Sequence, residues 1–472
     1  MNCKKKRPDD ALPDTRAVMS GSTMTTAFTS GNLWENIWRI SWPMLLVMVL
    51  NFFVGLTDIY VAGYLGPEIQ AVVGFVGQLY FFIIIVANAI GIGTVAIVAR
   101  AAGSGDEHEA LHAIRQSLLF GLACSVLLTL AGIVFGDVLL APARFSGPLS
   151  AVAREFLMIF AFSLMPNYMV IILNAIFRAG GEVKLSLAAM CIVSVINIVL
   201  NFALVFGVGV FPGIGYRGIA LATALSMVCG TAISLLLIRR SRWQGLFHGS
   251  WSLSGAFIKR LVVVSWPSAL IQISWGAGNI FLYAVLATLI SGSITGMAAL
   301  TNGLRIEAAI YLPAFAFHMA AAVLTGHNLG AGDPRRAEQL GWKISLTGVL
   351  FVAVMSVPVL IWPDIFSSIV SKDGPVIGET ARYLKITMLI EPFMAMSVVL
   401  GGCLQGAGDT RGAMMVIVAT LWGIRLPLAY LLAVPMGHGA TGVWIAMAVS
   451  MVVQSVGMTL RFMSGRWKTL QP

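Results

Sequence analysis

The amino-acid sequence repeats itself across its two halves. Four short segments of the first half return in the second half at a separation of 224 to 227 residues. An internal repeat of this length indicates a duplicated structural unit, so the chain is expected to fold as two similar halves. The paired segments are Ser41–Pro43 with Ser265–Pro267, Gly103–Asp106 with Gly330–Asp333, Ala179–Glu182 with Gly406–Asp409, and Gly218–Met227 with Gly442–Met451.

The composition indicates that the lipid bilayer is the solvent of this chain. Hydrophobic residues make up 58% of its 472 residues and charged residues only 11%, whereas a soluble domain carries about 25% charged residues. About twenty apolar residues cross a hydrocarbon core of roughly 30 Å. We therefore predict an all-α polytopic membrane protein with twelve transmembrane helices, in two six-helix bundles that are parallel repeats. The approximate spans are 38–64, 70–100, 112–135, 152–177, 185–206, 216–239, 261–289, 296–323, 338–362, 378–404, 412–433 and 440–462.

The basic residues predict the orientation of these helices. If the N-terminus lies inside the cell, 22 of the 30 Lys and Arg residues fall in inner segments and 6 in outer ones, which is the positive-inside pattern. The net charge of +10 then faces anionic lipids, and we predict no nucleic-acid partner. The expected location is the inner (plasma) membrane, with both termini cytoplasmic. The predicted organisation is a tail (1–33), a first lobe (34–240), a cytoplasmic linker (241–258), a second lobe (259–464) and a second tail (465–472).

Three acidic residues lie deep in the predicted spans, namely Asp58, Glu307 and Glu391. An ionised carboxylate at the bilayer centre costs about 2.5–3.5 kcal/mol on insertion scales, so such residues usually face the protein interior and serve a function. The alternative is a protonated or hydrogen-bonded packing residue. Asp58 is the strongest candidate of the three.

The depth of Asp58 predicts its partners. It lies about six residues, or roughly 9 Å, from the outer end of the first helix. Asn197 and Asn201 on the fifth helix share a face at a similar depth, and Thr223 on the sixth helix lies near the same level. Oxygen ligands of this kind suit Na⁺. A lone carboxylate among amides also suits reversible protonation, because burial disfavours the charged form. Alternatively, the two asparagines only join helices.

The second half carries a different set of charges. Arg305 and Glu307 are two residues apart, so they cannot face each other on one helix. Glu391 and Arg425 fall near mid-depth on neighbouring helices, where they would pair as a fixed brace or as a gate. Gln78 on the second helix lies at a depth similar to that of Asp58. Together with Gln78, these residues are candidates for substrate binding or gating.

Several motifs give the sequence a resemblance to a known family. They are TDIYVAG at 57–63, ARAAGSGD at 99–106, NIVLNFALVFG at 197–207, GLRIEAAIYLPAFAF at 303–317, GHNLGAGD at 326–333 and LQGAGDTR at 404–411. With these motifs the chain resembles the multidrug and toxic compound extrusion (MATE) family over about residues 35–462. It is most similar to the DinF-like branch, because the seventh helix lacks the buried acid that some other branches carry.

The resemblance implies V-shaped lobes and cation-coupled export of organic, often cationic, compounds. Asp58 matches the coupling acid of the family and Asn197 its helix-5 asparagine, while Thr223 is a weaker match. Asn201 stands where some DinF-like members have an aspartate, so this chain carries one charge fewer there.

The sequence therefore predicts a secondary antiporter that exchanges small organic substrates for Na⁺ or H⁺. Asp58, Asn197 and Asn201 would be metal ligands only if the ion is Na⁺, and we expect no cofactor. One alternative is a flippase for lipids or lipid-linked glycans from the same superfamily, which would need a large cationic cavity. A membrane-embedded enzyme is the other, but no catalytic set is evident. The sequence leads to no prediction of oligomeric state, because surfaces facing lipid and a second subunit are both apolar.

Overall fold

The computed structural model describes residues 28–145, 147–208 and 211–470; residues 1–27 of the predicted N-terminal tail lie outside this range. The described residues contain twelve helices long and apolar enough to cross a membrane, which confirms the predicted number. They are α1 Leu33–Tyr64, α2 Pro67–Ser104, α3 Glu107–Val134, α4 Pro148–Ala179, α5 Val183–Phe206, α6 Tyr216–Ile238, α7 Gly255–Ala287, α8 Ser293–Gly330, α9 Pro334–Ile361, α10 Gly374–Gly406, α11 Thr410–Ala433 and α12 Gly439–Met463.

Short elements lie between these helices. Two short α-helices, Gly136–Leu140 and Pro363–Val370, occupy equivalent places after α3 and α9. The strands β1 (Gly207–Val208) and β2 (Phe211–Pro212) form an antiparallel hairpin between α5 and α6. Single 3₁₀ turns cover Ala141–Ala143, Gln244–Phe247 and Arg466–Thr469. Within α11, residues Leu421–Arg425 form a π-helical turn.

The repeated Gly-x-Gly-Asp motifs are turns that end one helix and begin the next. Gly105 and Gly332 both adopt φ +77°, a left-handed conformation that glycine tolerates best. Asp106 and Asp333 then cap α3 and α9, since each carboxylate accepts a backbone N–H three residues later, at 2.8 and 2.9 Å. These caps satisfy backbone donors at the helix start. The preceding helices α2 and α8 continue up to the turns, several residues beyond their predicted ends.

The helices pack as two six-helix lobes. In the first lobe α4 lies centrally against α2, α3 and α6, and α1 packs on α5. In the second lobe α10 lies centrally against α8, α9 and α12. Between the lobes α2 contacts α7 and α8, and α1 contacts α8. The predicted fold class is therefore confirmed.

The segment between the lobes is fixed to α3. Arg115 donates from Nε to the Leu246 carbonyl at 3.1 Å, and its Nη2 donates to the Gly245 carbonyl at 3.1 Å. The Gln116 side chain donates to Ser252 at 2.6 Å and accepts from the Ser254 backbone N–H at 2.9 Å. α7 begins directly afterwards at Gly255, so the last residues of the predicted linker are helical.

The lobes meet at the end of the molecule that the basic residues predict to be cytoplasmic, called the inner end below. Glu109 on α3 forms a 2.8 Å ion pair with Arg260 on α7, and His327 Nε2 on α8 lies 2.7 Å from the Ala179 carbonyl. Gly103 and Gly326 allow close backbone approach between α2 and α8. In the described part of the chain, the side-chain hydrogen bonds and ion pairs that join the lobes lie at this end, so the inner end is closed.

Candidate functional site

The structure brings Asp58 and the two predicted asparagines together in the first lobe. Asn201 Nδ2 on α5 donates to Asp58 Oδ1 on α1 at 2.8 Å and to Asn197 Oδ1 at 3.1 Å. The two asparagines are one helical turn apart, which places both amides on the face of α5 that meets α1. Asp58, Asn197 and Asn201, which the sequence places at a similar depth, are therefore neighbours in the structure.

Hydroxyl groups of α6 continue this chain of hydrogen bonds. Asn197 Nδ2 donates to Thr223 Oγ1 and to Ser226 Oγ, both at 3.4 Å. Each hydroxyl in turn donates to a backbone carbonyl of α6, Thr223 to Ile219 and Ser226 to Thr223. The cluster thus links three helices of one lobe, with its carboxylate at one end and hydroxyls at the other.

Burial increases along the cluster from Asp58 to the α6 hydroxyl of Ser226. Asn197, Asn201 and Ser226 are fully buried, whereas Asp58 is only half-buried. Asn201 Oδ1 is buried with no hydrogen-bond partner, and an unpaired buried acceptor is costly. A carboxylate, amide oxygens and hydroxyls are the donor set of a hard cation, and Asp58 forms no ion pair with any described residue. The site is therefore chemically suited to take either a proton or Na⁺.

Gln78 does not join this cluster. Its side chain on α2 is exposed, and no hydrogen bond connects it to another described residue. α2 packs mainly on α4 rather than on the α1–α5 pair. A shared depth therefore did not mean a shared face.

In the second lobe, Glu307 and Glu391 lie beside each other in the interior. Both are buried, with 7% and 3% of their surface exposed, and they line a cavity of about 10 Å³, roughly the space that one water molecule needs. Thr387 lies against the Glu307 carboxylate. Arg305 is exposed on the other side of α8, as the two-residue spacing predicted.

Arg425 has partners other than the predicted one. Its Nε donates to Ser450 Oγ on α12 at 2.8 Å, and its guanidinium lies 4.7 Å from the ring centre of Trp275 on α7. No ion pair joins Arg425 to a carboxylate in the described part of the chain, and the carboxylate whose charge acts on it most is that of Glu307 rather than Glu391. The expected Glu391–Arg425 pair is therefore wrong. The π-helical turn that ends at Arg425 changes the direction of its side chain relative to a regular helix.

Comparison with known proteins identifies the family. The MatE family model matches this chain twice, over residues 43–203 and 267–431. The chain belongs to the MatE family. Both matches start at the prolines of the repeated Ser-Trp-Pro motif, Pro43 and Pro267.

Relatives and solved structures of this MatE-family protein cover nearly its whole length. The probable multidrug resistance protein NorM of Thermotoga maritima is 26% identical over 91% of this chain and 92% of its own length. The multidrug resistance protein NorM of Burkholderia vietnamiensis is 27% identical over 90% and 92%. A MOP superfamily transporter from Pyrococcus furiosus is similar in structure, with a TM-score of 0.85 at 22% identity, over 95% of this chain and 99% of that one. The DinF-like branch assignment stays a prediction.

Two hydroxyl residues of the MatE-family protein were missed by the sequence reasoning. Ser226 completes the first cluster, and Ser450 accepts from Arg425. A single serine in an apolar helix carries little signal, because its hydroxyl can bond to its own helix backbone. The repeat held the signal, since Ser226 and Ser450 occupy the same place in the recurring segments Gly218–Met227 and Gly442–Met451.

Proposed function

We propose that this MatE-family protein is a secondary antiporter that exports organic, often cationic, compounds in exchange for Na⁺ or H⁺. The proposal rests on the chain of hydrogen bonds from Asp58 through Asn201 and Asn197 to Thr223. It places one carboxylate, without an ion-pair partner among the described residues, inside the first lobe. The multidrug resistance names of the relatives from Thermotoga maritima and Burkholderia vietnamiensis support the substrate class.

The proposed cycle uses the half-buried position of Asp58. With the inner end closed, an ion from outside reaches Asp58 and is held by the oxygens of the cluster. Ion binding neutralises the carboxylate and favours release of the substrate to the outside. The lobes then rock to open the inner end, where the ion leaves and substrate binds. Only a difference in affinity between the two states can drive such an exchange.

The charged residues of the second lobe have a separate proposed role. Glu307, Glu391 and Arg425 lie where movement of α8, α10 and α11 would change their contacts, so we assign them to substrate binding or gating. Arg305 and Gln78 are exposed and are assigned to the same group on position alone. The protein is proposed to lie in the plasma membrane with its termini cytoplasmic.

The first experiment measures accumulation of a fluorescent organic cation in inside-out membrane vesicles, with Na⁺ and H⁺ gradients imposed separately. Accumulation driven by Na⁺ alone assigns the Asp58 cluster to Na⁺. Accumulation driven by H⁺ alone assigns it to protonation of Asp58. Failure with both ions contradicts cation-coupled export of organic cations.

The matched variants are Asp58→Asn and Glu68→Gln. Asp58→Asn is expected to reduce ion-driven accumulation to background while the protein still folds, because the amide is nearly isosteric but cannot be neutralised by an ion. Glu68 is an exposed acid at the start of α2, so its substitution is expected to leave accumulation unchanged. Normal transport by well-expressed Asp58→Asn protein would refute the proposed site.

A further inference from the structure

The segment preceding α1 crosses from the first lobe to the second. We call residues 28–32 the N-terminal strap. Arg336 Nη2, in the first turn of α9, donates to the carbonyls of Ser30 and Gly31 at 2.8 and 2.9 Å. Asn328 Nδ2 at the end of α8 donates to the Phe28 carbonyl at 3.3 Å. The strap is thus held by two side chains of the lobe to which it does not belong.

Phe28 fills the junction between the lobes. Only 1% of its surface is exposed, and its ring centre lies 5.5 Å from that of His327 in the second lobe. On the first-lobe side, Arg39 lies 5.3 Å from the ring centre. A side chain at Gly181 would collide with the ring, and Gly181 also has φ +77°. Glycine at this turn therefore both permits the backbone conformation and leaves room for Phe28.

The segment following α12 makes the reciprocal connection. We call residues 466–470 the C-terminal strap. Its Trp467 stacks on Phe462 with ring centres 4.9 Å apart, and Lys468 pairs with Glu338 on α9 at 2.8 Å, which anchors it to the second lobe. Arg100 Nη1, near the end of α2 in the first lobe, donates to the Leu470 carbonyl. Each strap is therefore held by an arginine of the opposite lobe.

We propose that the two straps are a latch that keeps the inner end closed and that must release before this end opens. Arg336 and Asn328 move with the second lobe, whereas the N-terminal strap continues into α1 and is also held by Asn36, which donates to the Ser30 carbonyl at 3.1 Å. When the lobes separate at this end, the strap cannot keep both sets of contacts. It stays with the first lobe and loses Arg336, Asn328 and the His327 ring.

The two straps differ in strength. The N-terminal strap combines three hydrogen bonds to the other lobe with a buried aromatic side chain, whereas the C-terminal strap is joined to the other lobe by the hydrogen bond from Arg100. Hydrogen bonds from charged donors are stronger than neutral ones, and a buried phenylalanine adds a large apolar area. The N-terminal strap therefore dominates the latch.

Amide hydrogen exchange of the full-length protein in lipid nanodiscs tests the latch without any transport assay. The variants are Phe28→Ala and Arg336→Gln for the N-terminal strap and Arg100→Gln for the C-terminal strap. Arg335→Gln is the matched control, because Arg335 is the exposed neighbour of Arg336 on α9. Exchange is compared in peptides covering the inner ends of α2 and α8 and in peptides covering α5.

We expect Phe28→Ala and Arg336→Gln to raise exchange at the inner ends of α2 and α8 by roughly tenfold or more, since local opening follows the stability of the contacts that hold a segment. Arg100→Gln is expected to act in the same direction with a smaller rise, and exchange in α5 is expected to be unchanged. If the inner ends exchange as in the Arg335→Gln control, there is no latch. If all peptides exchange faster together, Phe28 and Arg336 support the whole fold and the proposal is wrong.

The latch rests on the lobe movement of the proposed transport cycle, but its test is separate. Faster exchange at the inner ends in a protein that transports no cation would support the latch and contradict cation export. Normal ion-driven export by the wild type, together with unchanged hydrogen exchange in the strap variants, would support cation export and contradict the latch.

Discussion

In both lobes a serine of the sixth helix accepts a hydrogen bond from the fifth helix, but the donors differ. Asn197 donates to Ser226 in the first lobe, and Arg425 donates to Ser450 in the second. Ser226 and Ser450 occupy the same place in the repeat, so the two donors lie at corresponding places against the sixth helix of each lobe. A neutral amide in one lobe stands where the other lobe has a guanidinium.

The two lobes also differ in where their buried or half-buried acids lie. Asp58 and Leu282 are equivalent, because they lie at the same distance from Pro43 and Pro267, where the family matches begin. Leu282 is fully buried in the apolar core of the second lobe. The second lobe therefore has no carboxylate at this position, and its acids, Glu307 and Glu391, come from α8 and α10 instead.

This difference suggests how one duplicated framework divides two tasks. The first lobe holds a carboxylate surrounded by neutral groups, so a cation must come from solution to neutralise it. The second lobe supplies its own cation, Arg425, next to Glu307. A carboxylate with a buried cation nearby gains less from binding an external ion. If the proposed function is right, this comparison assigns the response to the ion to the first lobe.

The largest expected effect is the loss of Arg425. Arg425→Gln removes the hydrogen bond from a charged donor to Ser450, worth about 1.5–3 kcal/mol, and the contact of the guanidinium with the Trp275 ring, worth up to about 2 kcal/mol. It also removes the buried cation whose charge acts on Glu307. We expect a large decrease in the free energy of unfolding, measured by denaturation in detergent. Arg305→Gln is the control, because Arg305 is an exposed arginine on α8 of the same lobe. This substitution should leave stability unchanged.

A double variant sharpens this test. Arg425→Gln combined with Glu307→Gln removes both charges, so it should recover the part of the lost stability that comes from an uncompensated Glu307 carboxylate. Equal stability of Arg425→Gln and Arg305→Gln would show that Arg425 does not neutralise the second lobe, and the comparison between the lobes would lose its basis.

A smaller effect is expected at Asn201, and its sign depends on the coupling ion. Asn201 Nδ2 stabilises the ion-free carboxylate of Asp58 at 2.8 Å. If the ion is H⁺, Asn201→Ala destabilises the ion-free state, so the proton concentration for half-maximal transport should fall by about tenfold. If the ion is Na⁺, loss of the unpaired Asn201 Oδ1 removes a ligand, and the Na⁺ concentration for half-maximal transport should rise by a similar factor.

Transport measured over a range of ion concentrations checks this prediction. Asn51→Ala serves as the control, because Asn51 is an exposed amide on α1. The ion concentration for half-maximal transport in Asn201→Ala is compared with that of the Asn51→Ala control. If the two concentrations are equal, Asn201 only joins helices, which is the alternative that the sequence left open.

The helices and the first-lobe cluster could be predicted because both depend on position along the chain. Apolar length sets the number of spans, and residue count along a helix sets depth, which brought Asp58, Asn197, Asn201 and Thr223 to one level. The direction in which a side chain points around the helix axis does not follow from its depth. This is why Gln78 shares the level but faces elsewhere, and why the expected Glu391–Arg425 pair was wrong.

The contacts of the N-terminal strap could not be predicted even from the depth and direction of each side chain. The N-terminal strap is held through its backbone carbonyls by Arg336 and Asn328, which lie about 300 residues away. Backbone carbonyls carry no residue signature, so only tertiary structure shows which arginine they meet. The side chains that determine such contacts look like ordinary positive-inside residues in the sequence.

The last pair of expected effects is at the two equivalent serines, and the one at Ser226 is the smallest. Ser450 accepts from a charged donor at 2.8 Å, so Ser450→Ala should lower the free energy of unfolding by about 1.5–3 kcal/mol. Ser226 accepts from a neutral amide at 3.4 Å, so Ser226→Ala should cost about 0.5–1.5 kcal/mol.

The two serine variants should also differ in what they change. Ser226 belongs to the ion-responsive cluster, so Ser226→Ala should shift the ion concentration for half-maximal transport by a few-fold, whereas Ser450→Ala should lower stability and leave that concentration unchanged. Both quantities are measured on each variant, by denaturation and by vesicle transport. A shift in half-maximal ion concentration for Ser450→Ala and none for Ser226→Ala would assign ion coupling to the second lobe. The duplicated hydroxyl then separates the lobes by function, because it occupies the same place of the sequence repeat in both.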